Sequence, residues 1–124
     1  MPKINQFEDL ICWQSSREQV RLVFLSCKKA PLSTDFGTQN QFRRAAISVM
    51  NNIAEGFGRF NKKDFINFLN YSQSSSNEII SLTYCLEDIE YLSAEEALEI
   101  RKKALETRNQ TLALIKHINK TLTP

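Results

Sequence analysis

Apolar residues return along this chain at steps of three and four, in four stretches separated by short polar breaks. From about Phe7 to Lys29, the residues Phe7, Leu10, Ile11, Val20, Phe24 and Cys27 recur in this way, with Trp13 and Gln14 filling the middle turn. This predicts a first helix. Ala30 to Gly37 interrupts it with a proline, hydroxyls and a glycine, which predicts a loop. Thr38 stands three residues before Gln41 as a capping box, and Phe42, Ala46, Val49, Ile53 and Phe57 form the stripe of a second helix that ends near Gly58. Asn61 is the expected cap of a third helix, with Asp64 in its first turn. Phe65, Phe68, Leu69, Ser72, Ser75, Ile79, Leu82, Leu86 and Ile89 make its inner face. Ser93 and Glu96 form a further capping box, opening a fourth helix from about Ala94 to Leu122. Ala97, Ile100, Ala104, Thr111, Ile115 and Ile118 face inward there, and acidic residues come early and lysines late, as the helix dipole favours. Three short connections force each helix to run antiparallel to the last. The expected fold is all-α, an up-down-up-down antiparallel four-helix bundle formed as one domain over residues 1–124.

Composition supports this reading, because three prolines and three glycines leave few residues to punctuate hairpins. Cys12, Cys27 and Cys85 have no C-x-x-C spacing, and each falls in an apolar-periodic stretch. They are expected to pack as reduced thiols in a cytoplasmic protein. The opening MPKINQFEDL lacks the pattern of a signal peptide, and no stretch approaches a membrane span, so no membrane partner is expected. The net charge of +2 conceals an asymmetry. Residues 1–63 hold ten Lys/Arg against five Asp/Glu, and residues 64–124 hold six against nine. An anionic partner would dock on the basic half.

Catalytic and metal chemistry find little to build on. His117 is the only histidine, and Leu114 occupies the position a Glu-x-x-His metal pair would need. No zinc ligand set is visible either. Gly56, Gly58 and Arg59 lack the Lys-Ser/Thr of a phosphate loop. Gly56 is expected to permit close helix approach, and Gly58 to end its helix in a left-handed conformation. Glu55 lies four residues before Arg59 in the order that favours an ion pair, and Glu78 calls for a partner such as Arg43 or Arg44. Ser72, Ser74, Ser75 and Ser76 have no adjacent base and read as small residues for close packing. Phe65, Phe68 and Tyr71 stand at helical spacing and read as core, with Tyr71 the best exception for stacking on a base. The constellation that stands out is basic: Lys28, Lys29, Arg43, Arg44, Arg59, Lys62 and Lys63. Arg59, Lys62 and Lys63 must meet where the second helix ends and the third begins, whereas Arg43 and Arg44 lie about four turns away.

The string Gln41-Phe42-Arg43-Arg44-Ala45-Ala46-Ile47-Ser48, followed by Asn52-Ile53-Ala54-Glu55-Gly56-Phe57-Gly58-Arg59, resembles the core signature of a bacterial family. Its members are four-helix-bundle proteins encoded in intervening sequences of large-subunit ribosomal RNA genes. Phe7-Glu8-Asp9-Leu10 with Trp13, then Phe65, Phe68-Leu69, Ser75 with Glu78, and Tyr91-Leu92-Ser93 extend the similarity over nearly the whole chain. The resemblance implies a bundle that assembles as a homopentamer and carries no catalytic residues. A relative serves diversity-generating retroelements as an accessory protein that binds a reverse transcriptase and nucleic acid. Met50 departs from the pattern where proline is common, implying a straighter second helix, and Ser72 and Ser74 stand where alanine and glycine are common.

The expected function is therefore a non-enzymatic, homo-oligomeric bundle without cofactors that binds RNA or DNA through Arg43, Arg44, Arg59, Lys62 and Lys63. A reverse transcriptase or another protein is a further possible partner. The alternative is a structural or protein-interaction scaffold whose positive charge only keeps it in solution.

Overall fold

The structure, a computed structural model, describes residues 3–122; Pro2 and Pro124 lie outside the described residues. Four helices carry it: α1 (Ile11–Ser26), α2 (Phe36–Phe57), α3 (Lys62–Asp88) and α4 (Ala94–Leu122), with no strand among the described residues. At 1.5 Å per residue they run from about 24 Å for α1 to about 43 Å for α4. α1 and α3 each pack on both α2 and α4, so α1 and α3 face each other across the bundle diagonal. Lys29, just past the end of α1, reaches Glu96 at the start of α4, and Lys62 at the start of α3 reaches Thr121 at the end of α4. The four helices alternate in direction.

The first predicted helix is broken. Phe7–Asp9 forms a 3-10 turn, Leu10 is extended, and α1 stops at Ser26, three residues short of Lys29. Its inner face is also rotated from the expected stripe. Cys12, Ser15, Ser16, Gln19, Val23 and Ser26 are buried, while Ile11 is 63% exposed and Val20 and Phe24 are half-buried. Small hydroxyls let α1 sit close to its neighbours, so its apolar residues fall on the flanks. α2 begins two residues before Thr38. Its cap is Asp35, whose carboxylate accepts from the Thr38 N–H at 3.1 Å and the Thr38 hydroxyl at 2.9 Å, and Tyr91 donates to it from across the bundle at 2.8 Å. An aspartate satisfies the orphan donors of a first turn at least as well as threonine, so the cap falls where the carboxylate is. α2 then runs unbroken past Met50.

The other two caps match expectation. Asn61 Oδ1 accepts from the Asp64 N–H at 2.8 Å. Ser93 and Glu96 exchange backbone and side-chain bonds at 3.0 and 3.1 Å. Burial works to raise the Glu96 carboxyl, but these bonds to Ser93, together with the Lys29 ammonium, overcome it and hold it below its ordinary value.

The core divides into two apolar clusters. One, toward the α1–α2 and α3–α4 connections, holds Val23, Leu32, Phe42, Ala46, Ile79, Leu86, Leu92 and Ile100. The other, toward the α2–α3 turn, holds Leu10, Cys12, Val49, Ile53, Leu69, Ile115 and Ile118. Between them in chain position lies a polar waist: Ser15, Ser16 and Gln19 from α1, Ser72 and Ser76 from α3, Thr107 and Thr111 from α4, all buried. Most of these hydroxyls are satisfied by helix carbonyls. Ser72 donates to Val49 O on α2 at 2.8 Å, and Thr111 to Thr107 O at 2.7 Å. Gln19 differs, because neither its Oε1 nor its Nε2 meets a protein partner among the described residues.

Cys12 and Cys27 are buried as expected, and burial pushes the Cys12 thiol up to about 11. Cys85 is exposed and does not pack as a hydrophobe, because its position turns to the solvent side of α3 beside Tyr84. Trp13 is half-buried, with Phe7 edge-on at 5.2 Å and Arg17 over its ring.

Candidate nucleic-acid interface

The end of the bundle that carries the α2–α3 turn is fixed by a close helix approach. A β-carbon on Gly56 would lie 2.8 Å from Cβ of Phe68 and 2.9 Å from Cδ1 of Phe65, so only glycine lets α2 and α3 meet there. Further along the same seam, Ser48 and Ser75 share a 2.7 Å hydrogen bond, and Ser72 reaches the α2 backbone. Of the small residues expected to pack on α3, Ser72, Ser75 and Ser76 are buried or half-buried, whereas Ser74 turns to solvent. Gly58 ends α2 in a right-handed conformation (φ −78°, ψ −2°) rather than the left-handed one expected of it. The turn needs no Schellman closure, since Gly58 and Arg59 donate back to the carbonyls of Glu55 and Gly56 at 3.2 and 3.1 Å.

Arg59, Lys62 and Lys63 are brought together by this turn, and all three are exposed. The Arg59 guanidinium lies over the Phe68 ring at 4.6 Å and makes no ion pair with Glu55. A stacked guanidinium keeps its full charge and loses little hydration, so this contact presents the cation rather than neutralising it. Lys62 donates to the Thr121 hydroxyl at 2.9 Å. None of the three is taken up in an ion pair among the described residues. The last turns of α4 bring Lys116 and His117 to this end as well.

The remaining basic residues lie elsewhere. Arg44 stands in the α2–α3 groove with Ser48, Ser75 and Glu78, well up the bundle, where Glu78 is exposed beside it and not ion-paired. Arg43 points to the other side of α2, over the Phe24 ring at 5.1 Å. The pair therefore splits over two faces and joins the turn cluster on neither. Lys28 and Lys29 fall at the opposite end, where Lys29 pairs with Glu96 at 3.5 Å. That end also gathers Glu87, Asp88, Glu90, Glu95 and Glu99. The α3–α4 connection is rich in carboxylates, whereas the α2–α3 turn carries three cations without an ion-pair partner among the described residues, beside the single carboxylate of Asp64.

One residue of this turn escaped the sequence reading. Phe60, between Arg59 and Asn61, is fully exposed. Its place in a break between two helices, outside either apolar stripe, was the available signal. Tyr71, the best sequence candidate for stacking, is 59% exposed and meets Phe68 edge-to-face at 6.0 Å.

A bundle of this topology with this signature on α2 defines a class of small helical proteins, and comparison places the chain within it. The profile of the family described as 23S rRNA-intervening sequence protein matches residues 8–113. The chain belongs to that family. Among solved structures it is similar to the crystal structure of a protein with unknown function from the S23 ribosomal protein family of Bacteroides thetaiotaomicron. The two share 27% identity over 86% of this chain and 99% of the other, with a TM-score of 0.78. No curated protein matches the chain. No helix among the described residues is long and apolar enough to cross a membrane.

Proposed function

We propose that this chain is a non-enzymatic, homo-oligomeric bundle protein that binds nucleic acid through the α2–α3 turn. The observation that carries the reading is the gathering of Arg59, Lys62 and Lys63 at one exposed end without a carboxylate partner. Each cation that neutralises a phosphate releases condensed counterions, which is the dominant driving force for sequence-independent binding. Three cations per chain bind weakly alone, but a closed ring of copies repeats the cluster and multiplies the contact through effective concentration. Five copies is the number the family resemblance implies.

Self-association is supported by α4. Leu98, Leu105 and Leu112 recur at seven-residue spacing on the flank that also sends Arg101 and Arg108 toward α3, and Leu98 and Leu112 are exposed. An apolar line of this kind is a seam for a second helix. It also supports the second reading, a protein-interaction scaffold in which this seam takes a different protein and the basic turn only keeps the chain in solution. The two readings part on one experiment. Labelled RNA and DNA are titrated with wild type and with the Arg59→Glu/Lys62→Glu/Lys63→Glu variant at about 50 mM salt. The nucleic-acid reading predicts binding by wild type and loss of most of it in the variant, with helicity and oligomer mass unchanged. Equal binding by both proteins, or none by either, leaves the scaffold.

A further inference from the structure

We propose that the α2–α3 end recognises single-stranded rather than duplex nucleic acid, with Phe60 and Tyr71 as stacking platforms for unpaired bases. The proposal rests on the nucleic-acid reading above and adds to it the form of the ligand.

Isolated exposed aromatics are ordinary on protein surfaces, and Phe60 alone would signify nothing. Its neighbours change this. Phe60 protrudes from the turn between Arg59 and Lys62, with its ring fully in solvent. Arg59 folds back onto the face of Phe68, and Phe68 meets Tyr71 edge-on one turn further along α3. The result is a strip of three rings and one cation, Phe60, Arg59, Phe68 and Tyr71, climbing from the tip along α3. From Lys62 to Tyr71 the helix rises about 14 Å. Above Tyr71 the groove is lined by Arg44, Ser48, Ser75 and Glu78 without an aromatic side chain, so the strip of rings stops at Tyr71.

The bases of a duplex are stacked on one another and offer no free face except at the ends, so Phe60 and Tyr71 can add nothing to duplex binding. Unpaired bases have open faces, and each one stacked on an aromatic side chain gains affinity whatever its identity. Charge alone favours the duplex, whose phosphates are denser. A preference for the single strand therefore reports the rings. A basic turn with a protruding phenylalanine also fits an anionic lipid surface; a membrane met end-on by this turn would take up Phe60 to a depth of about 5–10 Å and not reach Tyr71, so the Tyr71 variant helps to separate the two ligands.

The test is fluorescence anisotropy with labelled oligo(dT) and oligo(rU) strands of about ten nucleotides, and with a duplex of the same length. The wild-type full chain should bind the strands more tightly than the duplex at equal salt. The DNA and RNA arms show which sugar it favours. Phe60→Ala and Tyr71→Ala should each weaken strand binding by about five- to a hundredfold and leave duplex binding unchanged, with the melting temperature unchanged for Phe60→Ala and slightly lowered for Tyr71→Ala, which loses its edge contact with Phe68. Phe60→Trp should restore strand binding, and Phe60→Leu should not, since it keeps apolar bulk without a π face. Duplex binding as tight as strand binding, or alanine variants that bind strands like wild type, overturns the proposal. So does binding to phosphatidylserine vesicles that Phe60→Leu retains, when no strand preference accompanies it. In each of these cases, loss of binding in the triple charge reversal leaves the electrostatic reading standing. An unaffected triple reversal removes that reading, and this proposal with it.

Discussion

Gly56 and Gln19 show how much single positions decide in this bundle. The atoms nearest a β-carbon at Gly56 are Cβ of Phe68, which cannot rotate away, and the ring and carbonyl of Phe65. Alanine would gain up to about 1 kcal/mol in helix propensity. Forcing the two helices apart would cost about 1–3 kcal/mol. Gly56→Ala is expected to lower stability by roughly 1–2 kcal/mol in urea unfolding and to displace the α2–α3 turn, where a rise in stability would show that the seam is slack. Gln19 carries the opposite sign. It is wholly buried with neither side-chain atom partnered by protein, so the desolvation of its amide goes uncompensated by any protein group. Gln19→Met, close in volume, is expected to raise stability by about 1 kcal/mol. A large loss instead would mean that the glutamine amide is satisfied within the waist. The Gly56 contact was legible in the sequence, since a glycine inside an apolar helical stripe is costly unless something approaches it. The burial of Gln19 was not, because periodicity counts apolar residues and a buried glutamine is silent to it.

At the scale of helices, the elements announced by paired signals were the readable ones. Asn61 with Asp64, and Ser93 with Glu96, each place a side-chain acceptor before its N–H donors, and both helices begin where those residues predict. For α2 the pairing of Thr38 with Gln41 pointed to Thr38, but Asp35 holds the cap with help from Tyr91, which lies 56 residues away and could not be foreseen locally. The start of α1 was unreadable for a related reason. A glutamine and an aspartate close a separate 3-10 turn over Phe7–Asp9, which breaks what looks like one continuous stripe. The Asp35 cap also carries a pH signature. The Thr38 backbone bond first, and then the Tyr91 and Thr38 hydroxyls, hold its carboxyl below the ordinary value. A group depressed in the folded state stabilises above its unfolded value of about 4 and loses that contribution as pH falls through the folded value. Asp35→Ala should therefore melt below wild type at pH 7, and the gap should narrow as pH drops below about 4. A gap that stays constant into acid would mean that the aspartate acts through packing alone.

For the molecule as a whole, the bundle and its family were legible because stripes, caps and the α2 signature agree over most of the chain. The site was legible only in part. Arg59, Lys62 and Lys63 flank a helix junction, so chain connectivity alone gathers them. Arg43 and Arg44 are adjacent in sequence and therefore about 100° apart on a helix, which sends them to two faces. Phe60 was passed over because phenylalanine is ordinarily core. What remains is a bundle whose α2–α3 turn presents Arg59, Lys62 and Lys63 without an ion-pair partner among the described residues, with Asp64 the one carboxylate beside them, an arrangement that draws an anionic polymer to that turn. The salt dependence of binding tests this claim most directly. For strand binding between about 50 and 200 mM salt, the logarithm of the affinity of wild type should fall linearly against the logarithm of salt. The slope should be about −2 for each three-cation cluster engaged, and Lys63→Ala should make it shallower by about 0.7 per cluster. A wild-type slope near zero, or one that Lys63→Ala and the triple charge reversal leave unchanged, would contradict a nucleic-acid site at this turn.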